Sequence, residues 1–194
     1  MAGTVRWAVV AMLAAGVLAG CDSADDPVVT STPSASSSSA SPTPSPSPSP
    51  SVTESGPQIP AAAREQTDAG AEAFVKFYME QFNVAWTKPE AGLVAKFSAK
   101  DCKFCATVET QAKWLVDNKQ RYDKAPVTLL DIQAISGAPE GQIYLTGTLR
   151  QNQTRILDES GAVTRTDPEK TLPRNIGLKW QEGVWLMFAV ERTS

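Results

Sequence analysis

The strongest constraint on what this chain can fold into is a stretch that cannot build a core. From Asp22 to about Pro57 the residues are mostly Ser, Thr and Pro, including Ser34-Ala35-Ser36-Ser37-Ser38-Ser39 and a Ser/Thr–Pro alternation from Ser41 to Ser51. Apolar side chains are too few there to offset a backbone ordering cost of about 1–2 kcal/mol per residue. The prolines bias the backbone toward polyproline II, at about 3.1 Å per residue. The segment is therefore expected to be a disordered, semi-rigid spacer, with the composition of O-glycosylated stalks. It divides the chain into residues 1–20, residues 21–57 and a folding unit over residues 58–194. About 135 residues is a usual size for one domain. Staples become necessary mainly below about 40 residues, so this unit can bury a core without them.

Ahead of the spacer, Arg6 is followed by an uncharged run from Trp7 to Leu18. That run is shorter than the roughly 20 residues a membrane-spanning helix needs, and it reads as the apolar region of a signal peptide. Leu18-Ala19-Gly20-Cys21 resembles the bacterial lipobox, where a small-residue pair precedes a cysteine that is acylated and becomes the first mature residue. The resemblance implies lipidation of Cys21 (diacylglycerol and palmitate-type chains) and a cell-membrane location on the extracytoplasmic face. Each buried methylene contributes about 0.8 kcal/mol, so two or three acyl chains hold a protein on a bilayer where one is marginal.

The remainder reads first as helix and then as strand. Phe74, Phe77, Tyr78, Phe82, Ala85 and Trp86 recur at spacings of three and four, predicting an amphipathic helix from Ala62 or Thr67 to Ala85. Thr87-Lys88-Pro89-Glu90 reads as the cap of a short second helix through Leu93, Val94 and Phe97. Ser98-Ala99-Lys100-Asp101 reads as the cap of a third, ending near Arg121 ahead of Pro126. Strands are predicted over Val127–Ser136 and Gln142–Ile156, and over Ile176–Trp180 paired with Val184–Arg192 through Gln181-Glu182-Gly183. The last strand is apolar on both faces, as a central or covered strand is. Helices followed by strands define an α+β class.

This order of elements, with Phe77-Tyr78 and Trp86 on the first helix and Gly183-Val184-Trp185 opening the last strand, resembles the NTF2-like (cystatin-like) cone over about Thr67 to Arg192. The resemblance implies N-terminal helices packed on a curved antiparallel sheet, and an apolar cavity that some relatives use for isomerase or hydratase chemistry. Lipobox, Ser/Pro spacer and Asp101-Cys102-Lys103-Phe104-Cys105 together resemble small actinobacterial lipoproteins grouped as a domain of unknown function.

The chemistry open to such a domain is narrow. The chain has no histidine, which removes the commonest general base and metal ligand. A net charge of −3 without Lys/Arg clusters argues against nucleic acid. No cofactor or metal motif is read. Cys102 and Cys105 are the one cysteine pair of the mature domain, and in an exported protein they fit a structural disulfide. A thiol–disulfide centre is the alternative, since a helix N-terminus stabilises thiolate. Asp131, among Leu129, Leu130 and Ile132, is the candidate pocket base, with the neutral reading that it points to solvent. Tyr78 and Tyr144 are candidate donors to the pocket, and Trp86, Trp114, Trp180 and Trp185 are core or cavity residues. Asp158, Glu159 and Asp167 read as solvated turn residues. The expected function is a non-catalytic binding domain, its partners being the membrane through the lipid and an extracytoplasmic protein or small molecule.

Overall fold

The structure is a computed structural model that describes residues 57–193. The expectations for residues 1–56, including the signal peptide, Cys21 and nearly all of the spacer, lie outside the described residues. The elements are helix α1 (Asp68–Thr87), helix α2 (Lys103–Asp117), and strands β1 (Arg121–Tyr122), β2 (Val127–Ile135), β3 (Gln142–Gln151), β4 (Thr154–Leu157), β5 (Val163–Asp167), β6 (Lys170–Gln181) and β7 (Val184–Arg192). One sheet has the order β2-β3-β6-β7 and a smaller one the order β1-β4-β5, all pairs antiparallel. The class is α+β, with both helices packed on antiparallel sheet.

Helix α1 begins where Thr67 Oγ1 accepts from Gly70 N at 3.0 Å, a side-chain cap for an otherwise orphaned donor. Its apolar stripe buries Phe74, Phe77, Tyr78 and Phe82 against the larger sheet, where Leu145, Ile176, Leu178 and Met187 meet it. Each such side chain contributes about 1.5–3 kcal/mol by leaving water. The same helix closes one edge of that sheet. Asn83 Nδ2 donates to Val127 O at 2.9 Å, Val127 N donates to Asn83 Oδ1 at 3.1 Å, and Ala134 N donates to Glu72 Oε1 at 3.2 Å. The other edge, β7, is covered at Met187 by Ser98 and Ala99, with Ala99 N donating to Met187 O at 2.8 Å. Both edges are thus blunted against pairing with another chain. The doubly apolar β7 is an edge strand in order, but a covered one.

That coverage explains two departures from the predicted helices. Residues 98–99 are drawn into an extended pairing with β7, so α2 starts four residues later than its apparent cap. Cys102 takes the capping role, its Sγ accepting from Cys105 N at 3.1 Å. The second helix shrinks to one 3-10 turn, Val94–Phe97. Thr87 does not cap it; its hydroxyl donates back to Asn83 O at 2.7 Å and closes α1. Helix α2 stops at Asp117 because Lys119 turns left-handed (φ 53°), which frees Arg121–Tyr122 to pair with β4.

The predicted long strand over residues 142–156 is two strands in two sheets. The corner is held by Asn152, whose N donates to Pro126 O at 2.8 Å and whose Nδ2 donates to Ala125 O at 2.9 Å. Strand β6 begins at Lys170 rather than Ile176, and contains Pro173. Pairing with β7 reaches only Arg174, so Pro173 lies where β6 has a free side and its missing N–H breaks no ladder. Bulges between Leu129 and Asp131 and between Gly177 and Leu178 curve the sheet. At Gly177 a Cβ would meet the Phe188 ring at 2.5 Å, so only glycine lets that ring lie across β6. The β6–β7 hairpin turns through Glu182 (φ 53°) and Gly183 (φ 81°), the paired positive φ of a two-residue turn.

Candidate functional site

Tyr78, Trp86, Asp131 and Tyr144 do not share one site. Tyr78 is fully buried under the 3-10 turn, its hydroxyl 3.2 Å from Ser98 Oγ. The Ser98 hydroxyl is committed to Val94 O at 2.7 Å, so the phenol donates to it. Burial is the largest influence on this phenol and pushes it up to about 12. Tyr144 points from the opposite face of the sheet, packed edge-on to Phe188 with ring centres 6.0 Å apart. Asp131 is exposed beside the β2 bulge, in an open cleft with Lys76 and Glu80 rather than in an enclosed apolar pocket. The carboxylate that an isomerase-like base requires is therefore not supplied by Asp131 at this position.

Trp86 does line a cavity, of about 320 Å³, between α1, α2, the small sheet and the concave side of the large one. Its indole Nε1 donates to Val108 O at 3.0 Å. Its ring stacks on Tyr122 at 5.0 Å and meets Phe82 edge-on at 4.5 Å, with Phe104 beyond at 6.2 Å from Phe82. Leu149 and Leu172 close the apolar part from the sheet. A cavity of this size with aromatic walls is a usual form of a small-molecule site.

The polar rim comes from Tyr122, Arg165 and Asp167, none of which was expected to line a pocket. Tyr122 donates to Asp167 Oδ2 at 2.7 Å, and Arg165 Nη2 donates to Tyr122 Oη at 3.1 Å. Arg165 Nε and Asp167 Oδ1 form an ion pair at 3.0 Å. Burial first, then the Asp167 carboxylate holding its proton, raises the Tyr122 phenol well above its ordinary value. Burial alone would depress the Arg165 guanidinium, but its bonds to Asp167 and Tyr122 outweigh that and raise it. Asp167, expected to be solvated, is thus the centre of this network. The signal was present in Val163-Thr164-Arg165-Thr166-Asp167, a β-branched alternation that places Arg165 and Asp167 on one face of a strand. Gln111 on α2 also lines the cavity; its Nε2 is buried and has no partner, and an unmet donor of that kind costs about 1–3 kcal/mol.

Cys102 and Cys105 lie at disulfide distance, with sulfurs 2.00 Å apart, and are 2% and 3% exposed. They sit in the main core beneath β7, with Cys105 Sγ 3.7 Å from Met187 O. Of the other tryptophans, Trp180 and Trp185 pack edge-on at 5.0 Å against the core, and Trp185 Nε1 donates to Glu65 O at 2.9 Å. Trp114 is 41% exposed on α2 and belongs to neither core nor cavity. Among the described residues no cluster of His, Cys, Asp and Glu could hold a metal ion, and no helix is long and apolar enough to cross a membrane.

Fold and cavity together define a small α+β domain whose helices cover the concave side of a curved antiparallel sheet. The model of a family of unknown function, DUF6318, matches residues 44–191, and the chain belongs to that family. No curated protein matches it in sequence. Similar solved structures include the intermembrane-space region of the chloroplast protein ARC6, at 16% identity and a TM-score of 0.47, covering 66% of this chain and 99% of that one. An uncharacterized Caulobacter vibrioides protein with a cystatin-like fold shares 17% identity at a TM-score of 0.40, over 61% of this chain and 85% of that one. An NTF2-like family protein from Streptomyces avermitilis shares 10% identity at 0.39, over 64% and 95% of the two chains.

Proposed function

We propose that this protein is a lipoprotein, anchored on the extracytoplasmic face of the cell membrane by acyl groups on Cys21. Its Ser/Thr/Pro segment spaces the folded domain from the bilayer, and the domain binds a small molecule without transforming it. The observation that carries the binding reading is the cavity beneath Trp86, an aromatic-walled space of about 320 Å³ with a fixed polar rim. The ionisable groups Tyr122, Arg165 and Asp167 satisfy one another there, an arrangement that orients a ligand rather than moving its protons. The anchor rests on Leu18-Ala19-Gly20-Cys21 and on the apolar run before it.

The burial of Cys102 and Cys105 favours a structural bridge at the start of α2 over a thiol–disulfide centre, because exchange needs an accessible sulfur. Both halves of the proposal are tested in cells and on the purified full chain. Cys21→Ala should move the protein from the membrane fraction to the medium or leave it as uncut precursor. An environment-sensitive apolar dye should bind wild type and be lost on Leu149→Arg, which fills the cavity wall with charge. An unchanged membrane fraction removes the anchor, and dye binding indifferent to Leu149→Arg removes the site.

A further inference from the structure

We infer that the cavity beneath Trp86 selects a small aromatic monocarboxylate, its carboxylate on Arg174 and its ring among Phe82, Trp86 and Phe104. This deepens the reading of the cavity as the ligand site and rests on it. The argument starts from charge. Two guanidiniums line the cavity, from Arg165 and Arg174, against one carboxylate, that of Asp167. Asp167 is committed to Arg165 and Tyr122, at 3.0 and 2.7 Å. Arg174 makes a single hydrogen bond, Nη1 to the adjacent Pro173 O at 2.9 Å, and has no carboxylate partner among the described residues. Its cross-strand neighbour on β7 is Arg192, a second positive charge. Burial and this neighbour both depress the Arg174 guanidinium, which is the condition a bound anion would relieve. One uncommitted cation on the lining calls for one negative charge, and a planar guanidinium pairs with a carboxylate through two parallel bonds.

The rest of the ligand follows from shape. A cavity of about 320 Å³ lies at the small end of ligand sites, where a ring with a short acid chain fits. Phe82 and Trp86 meet edge-on, and Phe82 and Phe104 do likewise, a packing into which a further aromatic ring extends naturally. The unpartnered Gln111 Nε2 supplies a donor on the α2 side, the second polar contact that would fix orientation.

The test is calorimetric titration of the purified full chain with hydrocinnamate and with its neutral counterpart, hydrocinnamyl alcohol. The acid is expected to bind at least about tenfold more tightly than the alcohol, as a bidentate charge pair allows. Arg174→Gln should erase that preference by weakening the acid at least about tenfold, and Arg174→Lys should keep the preference in reduced form. Thermal unfolding of each variant confirms that it is folded. Equal binding of acid and alcohol overturns the anion selectivity while the cavity reading stands. A preference that survives Arg174→Gln places the anion elsewhere and overturns the assignment. Binding of neither probe to folded wild type overturns both.

Discussion

The indole N–H of Trp86 donates to the main-chain carbonyl of Val108 at 3.0 Å, so one side chain of α1 holds the middle of α2 while its ring forms a wall of the cavity. Structure and site therefore share a residue. Trp86→Phe keeps an aromatic wall and removes the donor, at a cost of about 1 kcal/mol for a hydrogen bond whose acceptor retains its helical partner. Trp86→Ala also removes the packing with Phe82 and Tyr122, and should cost about 3–5 kcal/mol. Urea unfolding at neutral pH separates the two. Equal losses would show that the bond to Val108, and not the ring, carries the contribution.

Alkaline stability should report Tyr78. In the folded protein burial holds this phenol at about 12, whereas an unfolded chain titrates near 10. Above about pH 10 the unfolded state releases a proton that the native state keeps, so stability falls as pH rises through this window and is complete below it. Two units correspond to about 3 kcal/mol by pH 12. The raised Tyr122 phenol acts in the same direction. Tyr78→Phe should flatten the decline, as read from urea midpoints against pH; parallel declines in the two proteins would contradict the assignment.

The cysteine pair should behave as a buried structural bridge. Iodoacetamide with a mild reductant should leave Cys102 and Cys105 unmodified in the folded protein and label both in urea. The reduced form should remain folded, with stability lower by about 2 kcal/mol, the entropy expected for closing so short a loop. Rapid labelling under native conditions would restore the redox reading.

Much of the fold was legible because its signals are local and periodic. The stripe from Phe74 to Trp86 gave α1, and Glu182-Gly183 gave the last hairpin. What failed was decided by distant pairing. Ser98 and Ala99 look like a helix cap until β7 takes them, and Asn152 turns a continuous strand pattern into a corner. The site was less legible for the same reason. Trp86 was found by its place on the helix face. Tyr122, the Arg165–Asp167 pair and Arg174 come from three strands, β1, β5 and β6, and no spacing in the sequence announces that these strands meet. Asp131 drew attention through apolar neighbours, yet beside the bulge at Leu130 it is exposed in the open cleft between β2 and α1.

The central claim, that the cavity beneath Trp86 is a ligand site, is tested most directly by the indole N–H resonance of Trp86 in a proton–nitrogen correlation spectrum. On titration with hydrocinnamyl alcohol, this resonance should shift saturably, together with the amides of Tyr122 and Thr154, while the indoles of Trp114, Trp180 and Trp185 stay in place. A Trp86 resonance that does not move while the protein is folded, or shifts confined to Trp180 and Trp185, would contradict it.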